Sequence, residues 1–362
     1  MGRGIERWVR PGIRQLSAYA VPDATGLVKL DAMENPYHWP EPLVEQWLAT
    51  LRDVHLNRYP DPSARQLADT LRKVMGVPDS AGLLLGNGSD ELIQIIALTL
   101  AGPSRLIVAP EPGFVMYRMI ATFAGMEYLG VPLKEDFSLD LPAMLEVIGQ
   151  HQPAVIFLAY PNNPTGNLFD EQEICRIVEA SPGLVVVDEA YHAFAEASFM
   201  ERLPEYDNLL VMRTVSKLGL AGLRLGLLAG APAWIREFDK VRLPYNINTL
   251  TQASADFALQ HHEVLDAQTA RIRADREKLM NDLCSISGIT VYPSRANFIL
   301  FRVGRGRGQQ VFDGLLERRI LVKYLGAGQG VLRDCLRVTV GTPQENRAFL
   351  DALEEVAVKT GS

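Results

Sequence analysis

Polar residues stand just where several apolar runs of this chain end. Lys217 closes NLLVMRTVSK (208–217), Asp188 follows LVVV, and Asn163 lies in the turn PNNPTG after AVIFLAY. The turn Gly86-Asn87-Gly88-Ser89-Asp90 leads straight into a helical pattern. Leu218, Gly219, Leu220, Ala221 and Gly222 follow the lysine as small and apolar neighbours. An amine held in that way loses water, which lowers its pKa and makes it a nucleophile suited to a Schiff base with an aldehyde. A strand-end carboxylate such as Asp188 is expected to be half-buried and to need a cation, or it protonates. A helix N-terminus offers backbone N–H groups to a phosphate, and Arg224, seven residues after Lys217, adds a guanidinium.

Taken singly, each residue has an ordinary explanation. A strand-end Asp caps helices, PNNPTG makes a tight turn, and a lysine snorkels to solvent. Together they meet the requirements of one cofactor, pyridoxal 5'-phosphate. It takes a lysine for its aldehyde, a buried acid for its pyridine nitrogen, Asn and Tyr donors for its phenolate oxygen, and a helix N-terminus with an Arg for its phosphate.

The elements that must position these groups alternate along the chain. Residues 1–40 read as an arm, interrupted by Pro11, Pro22, Pro36 and Pro40, with only 27–30 strand-like. Helical periodicity at 42–54 and 64–76 precedes the apolar run 83–86 and a helix from Ser89. Apolar runs at 105–110, 154–160, 184–191, 208–217 and 223–230 then alternate with helices at 114–124, 170–180 and from Pro232. Short, fully apolar strands between helices predict an α/β fold whose parallel sheet is covered on both faces. In such a sheet the site lies beyond the carboxyl ends of the strands. A polar helical stretch at 250–286 follows, with Arg271, Arg273, Arg276 and Lys278 on a solvated surface. Strands in ITVYP, ANFILFRV, RILVKYL and CLRVTVG, with helices at 309–319 and 343–358, form a smaller α+β unit. The domain expectation is an arm at 1–40, a large domain at 41–250 and a small one at 251–362.

Composition excludes several function classes. The 362 residues carry 36 Lys and Arg against 43 Asp and Glu, a net charge of −7, which suits neither nucleic acid nor a basic surface role. No apolar stretch approaches the roughly 18–20 residues of a membrane helix, and the basic N-terminal residues lack the apolar region of a secretory signal. Cys175, Cys284 and Cys335 fit neither a disulfide framework nor a zinc site and read as reduced packing thiols of a cytoplasmic protein. GRGRG at 304–308 reads as a flexible loop, and His261-His262 as a solvated helix end without metal-ligand spacing.

LGNGSDELI, PNNPTG, VVVDEAY and TVSKLGLAGLRLG, in this order, resemble the fold-type I, class II pyridoxal-phosphate aminotransferases. LDAMENPY, LNRYPDP and CLRVTVGTPQENRAFL are similar to the histidinol-phosphate branch of that family, and the resemblance runs from about residue 10 to the C-terminus. It implies that Lys217 binds the cofactor and shuttles a proton between substrate Cα and cofactor C4′. Asp188 then pairs with the pyridine nitrogen, Asn163 and Tyr191 hold the phenolate oxygen, and Phe114 stacks on the ring. Ser89, Asp90, Ser216 and Arg224 form the phosphate cup, completed by Tyr59 from the neighbouring subunit of a homodimer with two shared sites. Arg337 clamps the α-carboxylate of glutamate or 2-oxoglutarate, Tyr19 closes over the substrate, and Lys323 meets the substrate phosphate.

Two departures from the family pattern stand out. The Lys217–Arg224 loop is one residue shorter than the common form, which predicts a differently shaped phosphate cup. Lys323 stands where many relatives carry an Arg, a point charge in place of a fork. The implied reaction is ping-pong amino transfer from L-glutamate to imidazole acetol phosphate in L-histidine biosynthesis. An aromatic or broad-range aminotransferase, a phosphothreonine decarboxylase and a cofactor-binding regulator without turnover are the alternatives. A nicotinamide-dependent oxidoreductase is disfavoured because GNGSDE lacks the third Gly of that fingerprint.

Overall fold

The computed structural model describes residues 4–18, 21–326 and 330–358. The arm contributes a two-residue strand, β1 (Val28–Lys29). A seven-stranded sheet follows, made of β2 (Gly82–Gly86), β3 (Leu106–Glu111), β4 (Glu127–Pro132), β5 (Val155–Ala159), β6 (Leu184–Asp188), β7 (Leu209–Thr214) and β8 (Gly226–Gly230). Its order is β2-β8-β7-β6-β5-β3-β4. The strands β9 (Thr290–Val291), β10 (Phe298–Arg302), β11 (Ile320–Leu321), β12 (Lys323–Tyr324) and β13 (Cys335–Thr339) complete the set. Four of them form an antiparallel sheet ordered β12-β13-β10-β9, while β11 pairs in parallel with β1 and ties the arm to the C-terminal part.

Helices α1 (Glu41–Leu51), α2 (Arg65–Val74), α3 (Gly88–Leu100), α4 (Val115–Ala124), α5 (Leu141–His151), α6 (Glu171–Ala180) and α7 (Pro232–Asp239) accompany the large sheet. The helices α8 (Thr249–Gln260), α9 (His262–Cys284), α10 (Gly308–Glu317) and α11 (Pro343–Val358) follow. Strands β5 and β6 are buried along their whole length, as a sheet covered on both faces requires. Side chains on its two faces fall into separate cores, one holding Val108, Ile156, Val185 and Leu227, the other Ile107, Val155, Val186 and Leu228. That split follows the two-residue period of a strand.

Several expectations need correction. The sheet is mixed, because β8 runs antiparallel to both β2 and β7. Edge strand β4 and helix α5 were not anticipated. Lys217 does not end β7; the strand stops at Thr214 and the lysine lies in a 3-10 turn, Ser216–Leu218. The polar stretch at 250–286 is two helices meeting at His261, so the histidine pair marks a junction: His261 Nδ1 approaches the Phe257 carbonyl at 2.9 Å. Arg276 is buried, not solvated, because its guanidinium donates to the carbonyls of Phe194 and Ala296 and pairs with Glu277. Two helical turns, Ile5–Arg7 and Pro11–Arg14, form in the arm, the second with Pro11 at its first position, where a missing N–H costs nothing. Cys284 is exposed, whereas Cys175 and Cys335 are buried, and all three are free.

Candidate active site

The carboxyl ends of β5, β6 and β7 and the N-terminus of α3 surround a cavity of about 120 Å³. Lys217, Asp188, Asn163, Tyr191, Phe114, Ser89, Asp90, Ser216 and Arg224 all line it. A larger cavity of about 660 Å³ adjoins it and shares Met33, Phe114 and Asn163. Arg337 and Lys323 reach this second space from the antiparallel sheet, beside Glu111, Arg118 and Arg333. Among the described residues, Tyr59 alone of the expected site residues is absent from both cavities. It is 80 % exposed, and its ring stacks on Tyr245 with centroids 4.5 Å apart. Tyr19 lies outside the described residues.

The lysine is positioned by a short loop. After β7, Thr214 Oγ1 accepts the Ser216 N–H and bonds the Leu225 carbonyl, which pulls the two ends of the loop together. Gly219 takes φ +118°, a conformation open to glycine, and packs against Asn35. The Asn35 side chain donates to the Leu218 carbonyl at 3.0 Å and so clips the loop to the arm. Lys217 Nζ donates to the Ala32 carbonyl at 3.2 Å. Burial first, and then the Arg337 guanidinium, push the Lys217 amine down to about 8.

Asp188 is 4 % exposed, deeper than the half-burial expected, and no cation among the described residues pairs with it. Its Oδ1 accepts the Ala190 N–H at 3.1 Å and its Oδ2 the Tyr117 hydroxyl at 2.7 Å. Desolvation raises this carboxyl to about 6 against those two donors. The next residue, Glu189, is fully buried and paired with Arg213 at 2.8 Å; Arg213 also bonds the Met75 carbonyl and the Ser198 hydroxyl. That network locks the ends of β6 and β7 together behind the site.

Asn163 has a fixed amide orientation. Arg337 Nη1 donates to its Oδ1, so Nδ2 must face the other way, toward the Tyr191 hydroxyl at 3.1 Å. Arg337 Nη2 donates to the Asp31 carbonyl at 3.0 Å, and its guanidinium lies 5.2 Å from the Phe298 ring centroid.

At the start of α3, Asn87 makes no side-chain cap, since its amide turns to Glu91 and the Asn246 carbonyl. The first N–H groups of the helix therefore stay available to an anion. Gly226 lets β8 approach this terminus: a Cβ there would lie 2.8 Å from the Gly88 carbonyl carbon and 3.0 Å from Ser89 N. Gly88, at φ +78°, makes room for the Arg224 guanidinium, and Asp90 stands 3.4 Å from it. The short loop thus reaches the helix end through 3-10 turns and a left-handed Arg224, φ +50°.

The donor set fits pyridoxal phosphate. An amine, a buried carboxylate without a protein cation, an Asn–Tyr pair of donors and an uncapped helix N-terminus with an arginine all face one cavity. Sequence reasoning missed Tyr117 and Glu111. In VMYRMIATFA a tyrosine at helical spacing reads as core, and its hydroxyl becomes informative only once Asp188 is placed opposite it. Glu111 ends an apolar run and carries no motif.

The family model for aminotransferase class I and II matches residues 25–353. Histidinol-phosphate aminotransferase 2 of Nitrosococcus oceani is 59% identical over 350 residues, covering 97% of each chain. Histidinol-phosphate aminotransferase 1 of Ralstonia nicotianae is 56% identical, over 96% of this chain and 93% of that one. A solved histidinol-phosphate aminotransferase from Sinorhizobium meliloti, in complex with pyridoxal-5'-phosphate, shares the fold with a TM-score of 0.87 at 24% identity, over 97% of this chain and 98% of that one.

Proposed function

The chain belongs to the class I and II aminotransferase family, and from that premise we propose that it moves the amino group of L-glutamate to imidazole acetol phosphate. The products are 2-oxoglutarate and L-histidinol phosphate, in a step of L-histidine biosynthesis. The names of relatives at 59% and 56% identity over nearly the whole chain support this substrate. The observation that carries the chemistry is the convergence of Lys217, Asp188, Asn163 and Tyr191 on one cavity that opens onto the cationic space of Arg337 and Lys323.

Pyridoxal 5'-phosphate, when bound, supplies an aldehyde that captures amines and an electron-poor ring that stores the electron pair of a broken Cα–H bond. In this reading Lys217 would hold the group through its aldehyde, and Lys217 Nζ would take and return the substrate's Cα proton. Its depressed pKa suits both tasks, because the neutral amine is the nucleophile and the base. Asp188 would hold a proton on the ring nitrogen, and Asn163 Nδ2 and the Tyr191 hydroxyl would donate to the phenolate oxygen. Phe114, which lines the cavity, would pack against the ring. Ser89 and Asp90 N–H groups, Ser216 and Arg224 would hold the phosphate, and Arg337 would grip the substrate carboxylate with a fork suited to two oxygens. Lys323 meets the phosphate of the imidazole substrate, and Tyr19 belongs to the arm that closes over it.

Tyr59 reaches the phosphate of the neighbouring subunit in this account. The exposed Tyr59 and Tyr245 rings stack on each other, and exposed Leu56 and Leu243 precede them closely in the chain, apolar side chains that suit contact with a second copy of the chain. No helix among the described residues is long and apolar enough to cross a membrane. Free cysteines suit the cytoplasm, the compartment this reading assigns.

A substrate panel tests the proposal. With L-glutamate as donor, turnover of imidazole acetol phosphate is expected to exceed that of phenylpyruvate and 4-hydroxyphenylpyruvate. Preference for the aromatic ketones, or carbon dioxide release from phosphothreonine, contradicts it.

A further inference from the structure

Tyr117 is 1 % exposed, in the first turn of α4, and its hydroxyl donates to Asp188 Oδ2 at 2.7 Å. Its ring stacks on Phe157, with centroids 4.8 Å apart and planes 13° apart, and meets Phe114 edge-on at 5.5 Å. A ring pinned on two sides cannot swing, so the position of its hydroxyl oxygen is set by packing. The Ala190 N–H occupies the other carboxylate oxygen, which leaves Asp188 two fixed donors and further lone pairs.

We propose that Tyr117 is a positioning residue for the transfer reaction: its hydroxyl orients Asp188 and holds it as a carboxylate for the cofactor's ring nitrogen. The proposal rests on pyridoxal phosphate occupying the cavity, as argued above. A neutral Asp188 would offer a proton it shares poorly, and the ring would lose the charge that makes it an electron sink. The groups turned toward this pair all bear on the balance. Glu189 comes directly after β6 and Asp90 stands on the first turn of α3, and both disfavour a charged Asp188. Tyr128 and Tyr191 face Tyr117, and Lys217 lines the same cavity. Burial and the Asp188 charge hold the Tyr117 hydroxyl well above its ordinary range, so it remains a donor at every pH the enzyme meets.

The test uses Tyr117→Phe, which keeps the ring and removes only the donor, with Asp188→Asn as the reference for a neutral side chain. In cofactor-free protein carrying 13C-carboxyl aspartate, the Asp188 titration midpoint is expected to rise by about one pH unit, the tenfold effect typical of a hydrogen bond to a charged group. In protein loaded with 15N-labelled pyridoxal phosphate, the ring nitrogen near neutral pH is expected to be protonated in the parent, largely deprotonated in Asp188→Asn and measurably less protonated than the parent in Tyr117→Phe. Amino transfer from glutamate should slow about ten- to a hundredfold with KM little changed. If Tyr117→Phe does not fold, 3-fluorotyrosine at position 117 replaces it; as a stronger donor it should move the midpoint down. An unmoved midpoint, or an unchanged ring-nitrogen signal, overturns the proposal. If the parent binds no pyridoxal phosphate, the cofactor reading fails instead, and the cofactor-free titration still decides the role of Tyr117.

Discussion

At the scale of single residues, the account turns on a lysine whose burial lowers the pH at which its amine becomes neutral. Lys217 titrates near 8 in the fold against an ordinary value of 10.5. Between those values the unfolded chain binds more protons, so this group's contribution to stability rises with pH through that window. Below about pH 8 its destabilising effect is complete. The same shift predicts that pyridoxal phosphate loads onto cofactor-free protein at a rate rising through about pH 8 and levelling above it. Stopped-flow absorbance checks this, and a midpoint near 10.5 contradicts it. Arg337→Lys keeps the charge and removes the fork, along with the bond that orients Asn163. Steady-state kinetics should show KM for glutamate raised about tenfold or more, since a hydrogen bond to a charged group contributes roughly 1.5–3 kcal/mol. The ends of apolar runs made the buried Asp188 and Lys217 legible in the sequence as neighbours in one cavity, although Lys217 lies in a turn beyond β7. Tyr117 was not legible, because a helix-face tyrosine serves packing and hydrogen bonding with the same ring.

At the scale of elements, the site depends on how closely β8 approaches the start of α3. Gly226→Ala places a Cβ under 3.0 Å from the Gly88 backbone, and two rigid backbones cannot both stay put. The expected outcome is a loss of about 1–3 kcal/mol of stability with weakened cofactor binding. Urea unfolding and a pyridoxal phosphate titration measure the two effects. Unchanged values for both would mean the helix N-terminus is not held by this contact. The alternation of strands and helices was readable from apolar runs, but the direction of β8 was not. A five-residue apolar strand has no polarity pattern, and only the turn geometry between Lys217 and Arg224 reverses it. Edge strand β4, EYLGVP, was hidden by its Gly and Pro and its one fully buried residue. His261 hid the break between α8 and α9, since the helical residues on either side continue one polar pattern.

At the scale of the whole molecule, the arm, the two sheets and a second subunit all meet at the cofactor cavity in this account. Residues 30–37 carry the arm into the site, where Ala32 contacts Lys217 and Asn35 its loop. LDAMENPY marked that segment as a motif, while its pairing through β1 with β11 depends on residues nearly 300 positions away. The shared-site reading predicts complementation. Tyr59→Ala and Lys217→Ala proteins should each be nearly inactive, yet a refolded equal mixture should regain about a quarter of parental activity, since half the dimers carry one intact site. No recovery in the mixture would place Tyr59 outside the partner's site.

The central claim is that Lys217 is the residue that binds the cofactor's aldehyde. Loading the protein with pyridoxal phosphate, reducing it with borohydride and mapping the labelled peptide by mass spectrometry tests it directly. The label is predicted on Lys217 alone, with none retained by Lys217→Ala. A label on any other lysine, or full amino transfer by Lys217→Ala, would contradict the account.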